Sequence, residues 1–486
     1  MPLIFEKMVI YVLSLLLLGE GIFMLLPALV SAIYGDNDAT SFLLSALICS
    51  VLGGVGALLT RKKRFHMTQK ESYIIVAFTW IVFSIFGMLP YIFSGFMPST
   101  IDAFFETVSG FTTTGATLIS YIEGSTHGVL LWRSLSQWIG GMGIITLSMV
   151  LLPTLELGGM NLFSAEATLT RADKMKAKIT EMARYTWCFY VILTAINAIL
   201  LVLGGMSTFD SICHALSTLS TGGFSTRSLS LGAFENTYFE YVTIVFMYLG
   251  GVNFTLYYVI LIGKFKRITA DDELKYYTLT VICASLVIAL SLYLTGTYDS
   301  IESSLRKAFF HVIAVTTSSG FTTADYTLWP SSTITILAIL MLVGTCTGST
   351  SGGIKFMRLT IVMRNVLNEF RRAIHPTAIV PVKYNGRSIT NSDVSSVLSF
   401  VTLYITVFTL GMVAISLFGF SLEDSYGLAA SSLGNVGIAI GHFGPLASLA
   451  SLPDPVKLIM TALMIMGRLE LYTFLIVLTP SFWKER

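Results

Sequence analysis

The sequence predicts an all-α polytopic membrane protein: a leading two-helix hairpin, then four pseudo-repeated helix–pore-loop–helix units around a central pore. Three observations carry this. The 486 residues are 54% hydrophobic and only 12% charged, with a mean hydropathy of +0.76. A soluble domain carries about 25% charged residues. Apolar runs near the length of a bilayer crossing recur along the whole chain, and one short glycine pattern appears four times between such runs.

The elements follow in order. The run 8–33 is too long for the apolar core of a cleavable signal, and no small-residue cleavage site closes it. With 41–60 it forms the leading hairpin, since no glycine pattern lies between them. The remaining runs, 72–95, 128–153, 184–204, 238–263, 275–296, 332–363, 393–419 and 456–480, make four pairs, ten spans in all. Each pair encloses a segment too short to span: 100–112, 207–219, 300–316 and 422–433. Each segment opens on helix-starting residues, at Ser99/Thr100/Asp102, Ser207/Thr208, Ser300 and Ser421. The resulting units are 1–70 (hairpin), 71–183 (first pore repeat with connector), 184–273 (second), 274–390 (third, with a connector) and 391–486 (fourth).

Orientation follows from basic residues. Segments 61–70, 171–184, 264–275, 355–387 and 484–486, with Lys7, hold 24 of the 30 Lys and Arg. They alternate so that both termini are cytoplasmic and all four short segments enter from outside. The five cysteines, Cys49, Cys188, Cys213, Cys283 and Cys346, are scattered and suggest neither disulfides nor a metal site.

The four copies read Thr113-Thr114-Gly115-Ala116-Thr117, Ser220-Thr221-Gly222-Gly223-Phe224, Ser318-Ser319-Gly320-Phe321-Thr322 and Asn435-Val436-Gly437-Ile438-Ala439. Aligned on Gly115, Gly222, Gly320 and Gly437, they stand 107, 98 and 117 residues apart. A dehydrated cation needs oxygen ligands at fixed positions, and backbone carbonyls supply them without a trapping charge. Aiming successive carbonyls at one axis requires backbone conformations that glycine tolerates best. Non-helical backbone at membrane depth survives only when buried or lining water. Four matched copies therefore ask for a pore whose filter is Thr113, Thr114, Gly115, Ser220, Thr221, Gly222, Ser318, Ser319, Gly320, Asn435, Val436 and Gly437. No charged residue falls within the patterns, which favours carbonyl coordination over a charged ring.

A second feature interrupts the eighth span: Gly344, Thr345, Cys346, Thr347, Gly348, Ser349, Thr350, Ser351, Gly352 and Gly353. Ten residues with four glycines cannot form a stable lipid-facing helix. They suit a broken helix beside the pore, below the filter, where the loop acts as a gate. A packing seam of small residues is the plainer reading. A phosphate loop is disfavoured because Ile354 precedes Lys355 where Gly-Lys-Ser/Thr is required.

With these residues in view, the chain resembles the TrkH/KtrB superfamily of bacterial potassium transport subunits. The resemblance covers essentially the whole chain and includes Gly348-Ser349-Thr350-Ser351-Gly352-Gly353-Ile354-Lys355. The leading hairpin makes it similar to the TrkH branch. The resemblance implies K⁺ as bound and transported ion, no cofactor, and a homodimer in the bacterial inner membrane with one pore per subunit. It also implies a cytoplasmic nucleotide-binding regulatory ring of the TrkA type. It places Lys355 and the intramembrane arginine, Arg468, at the gate.

Arg468 lies within the last apolar run, and an arginine there normally faces the bundle interior with a partner. Glu470, two positions on, lies on another helix face. Asp102, Glu106, Asp210 and Asp424 near the outer mouth either concentrate cations or cap helices. His214 and His311 read as packed neutral histidines. No catalytic triad or metal cluster is evident, so an enzyme is not expected, and nor is nucleic-acid binding. The combined reading is gated potassium uptake. The alternatives are an H⁺- or Na⁺-coupled symporter and, further off, a secondary transporter of another solute, which would predict inverted repeats.

Overall fold

A computed structural model describes residues 2–60, 69–151, 171–378 and 380–483, with side chains for 7–60, 70–143, 181–378 and 380–483. Most of the basic connector 61–70, the basic side chains of 171–178 and the tail 484–486 lie outside the described residues.

The hairpin is α1 (Pro2–Tyr34) against α2 (Ala39–Thr60). Gly53 and Gly56 let these helices close up: a Cβ on either would meet Ser14 atoms at 2.7 and 2.2 Å. The first repeat is α3 (Gln69–Gly87), the short α4 (Leu89–Phe93), pore helix α5 (Thr100–Phe111) and α6 (His127–Leu151). The second is α7 (Arg171–Leu203), pore helix α8 (Thr208–Leu219), α9 (Thr237–Gly250), α10 (Phe254–Leu261) and α11 (Phe265–Thr269). The third is α12 (Asp272–Leu294), pore helix α13 (Ile301–Thr316), α14 (Ser331–Leu342) and α15 (Phe356–Ile374). A small antiparallel pair, β1 (Lys383–Tyr384) and β2 (Arg387–Ser388), then leads to the fourth repeat. That repeat is α16 (Asn391–Ser416), pore helix α17 (Leu422–Leu433), α18 (Asp454–Arg468), α19 (Tyr472–Leu478) and α20 (Pro480–Trp483).

Each pore helix starts on an N-cap serine whose hydroxyl accepts an N–H three residues on: Ser99 from Asp102, Ser207 from Asp210, Ser300 from Ser303 and Ser421 from Asp424. These bonds satisfy N–H groups that the helix itself leaves free. All four expected short helices are therefore present.

Six described helices are long and apolar enough to cross a membrane unbroken: α1, α2, α3 extended through α4, α7, α12 and α16. Three other expected spans are not single helices. The run 238–263 bends by 90° between α9 and α10, and 456–480 bends by 115° between α18 and α19. The run 332–363 is split between α14 and α15 by the glycine-rich loop, and α15 continues to Ile374. Among the second spans of the four repeats only α6 runs through. Arg468, expected mid-helix, is instead the last residue of α18, at the break.

Candidate functional site: a ring of four glycines

The four loops following the pore helices share one backbone path. After each helix, one residue takes a left-handed φ: Thr113 at 52°, Thr221 at 52°, Ser318 at 54° and Asn435 at 53°. Two residues later a glycine does the same: Gly115 at 83°, Gly223 at 77°, Gly320 at 67° and Gly437 at 88°. Between them, amides turn back onto the pore helix. Thr114, Gly222, Ser319 and Val436 donate to the carbonyls of Ser109, Ser217, Ala314 and Ser431 at 2.8–2.9 Å. With the amides turned back this way, the carbonyls of Thr114, Ser319 and Val436 accept no hydrogen bond among the described residues.

This path corrects the second repeat by one residue. Gly223, not Gly222, occupies the position of Gly115, Gly320 and Gly437. Gly222 sits where Thr114, Ser319 and Val436 sit, and its φ is not left-handed. The signal was present in the sequence: Gly223-Phe224-Ser225-Thr226 parallels Gly320-Phe321-Thr322-Thr323.

The loops also close on one another. A Cβ on Gly115 would lie 2.0 Å from the carbonyl oxygen of Gly222. On Gly223 it would lie 1.8 Å from that of Ser319, on Gly320 2.1 Å from that of Val436, and on Gly437 2.2 Å from that of Thr114. Each repeat's glycine thus abuts the preceding-residue carbonyl of the next repeat, and the fourth returns to the first. The four glycines are needed twice over, for their φ and for this approach. All twelve expected filter residues lie in or beside the ring.

The ring is held from behind by side chains, among them Gln137 and Arg133, which the sequence pattern did not point to. Gln137 donates from Nε2 to the Gly222 carbonyl at 2.6 Å and accepts from the Phe224 amide at 3.1 Å. Asn435 donates to Thr114 Oγ1 and the Met464 carbonyl, both at 3.0 Å. Glu106 is fully buried against Arg133 at 2.9 Å and accepts from Thr117 Oγ1 and the Leu118 amide. Arg133 also donates to the Ser225 carbonyl at 3.1 Å and stacks 4.0 Å over Phe224. Asp210 accepts from Thr226 and Arg227 at 2.6 and 2.8 Å, Asp424 from the His442 amide at 2.8 Å, and Asp102 pairs with Lys457 at 2.6 Å. The acidic groups therefore brace the loops. His214 spans the Asp210 carbonyl and Ser225 Oγ, and His311 contacts the Lys307 carbonyl, as packed histidines do.

The loop 344–353 lies against this ring. Its edges meet in a parallel bridge between Val343 and Ile354, with Gly344 N–H on the Ile354 carbonyl at 2.7 Å. Gly344 has to lack a side chain, because a Cβ would lie 2.0 Å from the Gly352 carbonyl. Gly352 in turn would strike the Gly434 carbonyl at 2.4 Å, and its amide donates to Ser318 Oγ at 2.7 Å. Thr350 donates to the Leu219 and Gly250 carbonyls at 3.1 and 3.2 Å, and Cys346 N–H to the Gly251 carbonyl at 3.2 Å. The bend between α9 and α10 thus frees carbonyls that the loop satisfies. Gly348 carbonyl accepts from Phe254 N–H, and Thr345, Ser349 and Ser351 share hydroxyl bonds. Buried Glu273 clasps Thr347 N–H at 2.7 Å, Thr347 Oγ1 at 3.0 Å and Met357 N–H at 3.0 Å. Lys355, at the N-cap of α15, donates to the Ser351 carbonyl and hydroxyl, beside Gly353.

Arg468 reaches across to the same loop. It donates to the Thr350 carbonyl at 2.7 Å and to the Gly140 carbonyl at 3.2 Å. Glu470 is not its partner and pairs with Arg358. So the two charges flanking the α18–α19 break face different partners.

The sequence matches the TrkH family, described as "Cation transport protein", over residues 39–484. It is 35% identical to the Trk system potassium uptake protein TrkH of Salmonella typhimurium, over 95% of this chain and 96% of that one. It is 33% identical to the TrkH of Halomonas elongata, over 99% of both. The chain belongs to the TrkH family. The fold agrees with the crystal structure of the potassium transporter TrkH from Vibrio parahaemolyticus, at TM-score 0.91 and 31% identity over 99% of this chain and 100% of that one. The TrkH family is one of membrane transporters and not of enzymes.

Proposed function

We propose that this chain takes up potassium through a pore whose filter is the ring of Thr113–Gly115, Thr221–Gly223, Ser318–Gly320 and Asn435–Gly437. The observation that carries the reading is the closed contact of each left-handed glycine with the next repeat's carbonyl. Three of the four equivalent carbonyls, those of Thr114, Ser319 and Val436, are left without a donor among the described residues, and a ring of such oxygens suits an ion that sheds its water. The printed names of the relatives, potassium uptake proteins, favour potassium as that ion.

The loop 344–353, with Lys355 and Arg468, is the gate. It lies beside the filter on closely packed glycines, and Arg468 of α18, bonded to both the Thr350 and Gly140 carbonyls, links it to α18 and α6. The working unit is a homodimer in the bacterial inner membrane with both termini cytoplasmic, regulated by a nucleotide-binding ring of the TrkA type. The cluster of basic residues on the connectors supports that orientation.

The test is cation flux into liposomes containing the purified chain, comparing Rb⁺, Na⁺ and Li⁺. Wild type is expected to pass Rb⁺ well above Na⁺ and Li⁺. Gly320→Ser, whose Cβ would press on the Val436 carbonyl, is expected to erode that preference. Equal flux of all three ions in both proteins would sink the filter assignment.

A further inference from the structure

Glu20 stands at the middle of α1, whose span runs Lys7–Tyr34. It is 2% exposed, and neither carboxylate oxygen has a hydrogen-bond partner among the described residues. A carboxyl without a partner at membrane depth is costly and normally marks a functional group. It opens on a cavity of about 540 Å³ bounded by α1, α3, α7, the end of pore helix α5 and α6. That size falls within the roughly 300–1,000 Å³ of small-molecule sites. The walls are aromatic and aliphatic, with Trp80, Phe83, Phe111 and Trp187 among them, and Glu20 is the one titratable side chain lining it among the described residues. The hydroxyl of Thr79, also in the wall, is spent on the Ile75 carbonyl at 2.7 Å.

We propose that this cavity binds a single-chain alkyl amine, its ammonium on Glu20 and its chain along the aromatic wall. An alkali ion does not fit, because one carboxylate among apolar walls leaves most of its oxygen shell unmet. A hydrocarbon chain fits the walls but leaves the carboxyl without a partner, and an alcohol brings it only a neutral hydrogen bond. An amine with an apolar body meets both requirements, and Trp80 and Phe83 lie in the same wall as Glu20. The site touches the pore assembly at two points. Phe111 is the last residue of pore helix α5, and the Gly140 carbonyl in the wall also accepts Arg468. The inference is independent of the potassium reading.

The test uses the full chain in nonionic detergent, with a terminally brominated dodecylamine and the matching bromododecanol as quenchers of tryptophan fluorescence. Wild type is expected to bind the amine at least about tenfold more tightly than the alcohol, the scale of one charge-assisted bond. Glu20→Gln is expected to bring the two within about threefold. Gly19→Leu lines the same cavity, and a Cβ there meets nothing within 4 Å. It is expected to fold and to weaken both quenchers by filling the space. Equal affinity for amine and alcohol in wild type overturns the proposal. So does an amine preference that survives Glu20→Gln or, should that variant fail to fold, amine binding that Gly19→Leu leaves undiminished.

Discussion

At the residue scale, the ring turns on glycine for two separable reasons, and a pair of variants separates them. Gly223 carries a φ of 77° and lies against the Ser319 carbonyl, so Gly223→Ala strains the backbone and pushes a wall of the ring. Gly222 has no left-handed φ, and the atoms a Cβ there would meet first are those of the Gln137 amide, at 2.4–2.8 Å. Gly223→Ala is therefore expected to cut the Rb⁺-to-Na⁺ flux ratio by about tenfold, for about 1–3 kcal/mol of strain in the ring. Gly222→Ala adds no left-handed strain but displaces Gln137 from the Gly222 carbonyl and the Phe224 amide, and is expected to cost less selectivity than Gly223→Ala. The reverse order in flux assays would return the register to Gly222. Which of two adjacent glycines faces the next repeat was only half legible from the pattern. The following phenylalanine was the available signal, and the spacing between copies did not carry it.

At the element scale, three of the four second spans break beside the pore, and in each case the freed backbone finds a partner. The α9–α10 bend presents the Gly250 and Gly251 carbonyls to the loop 344–353. The α18–α19 break places Glu470 and Leu471 at φ 54° and 52°, with Arg468 immediately before them. The loop is thus held by hydroxyls, Glu273, Lys355 and one arginine. Arg468→Gln removes a charge-assisted donor from the Thr350 carbonyl, a loss of about 1.5–3 kcal/mol. It is expected to raise Rb⁺ flux through the chain alone by about tenfold or more, with Rb⁺ still preferred over Na⁺. Unchanged flux in liposomes would assign Arg468 a purely structural role. The broken loop was visible in the sequence because its composition rules out a lipid-facing helix. The two other breaks were not, since their flanks read as continuous apolar runs, and at the α9–α10 bend the compensating bonds come from Cys346 and Thr350, about a hundred positions away.

At the scale of the whole molecule, four long-range ties close the repeats into a ring. Arg133 joins the first repeat to Ser225 of the second, and Glu240 of the second takes Arg306 and Lys307 of the third at 2.6 and 2.9 Å. Tyr326 OH of the third donates to the Ala439 carbonyl of the fourth at 2.6 Å, and Lys457 of the fourth returns to Asp102 of the first. Breaking a buried pair by removing one partner costs about 3–5 kcal/mol. Glu240→Gln, which strips the charge facing both Arg306 and Lys307, is expected to lower the thermal unfolding midpoint by several degrees. Exposed Glu423→Gln serves as the control, and equal midpoints for the two would mean that the ties do not hold the ring. The sequence by itself determined the membrane class, the leading hairpin, the four capped pore helices and their common glycine pattern, because each rests on local composition, hydropathy length or capping chemistry. Only the tertiary structure decided which glycine completes the second repeat, where the spans bend, and that Arg468 serves Thr350 while Glu470 serves Arg358. Those outcomes depend on side chains and carbonyls brought together across the repeats, and a buried polar group's partner is chosen by proximity in space, which spacing along the chain does not encode.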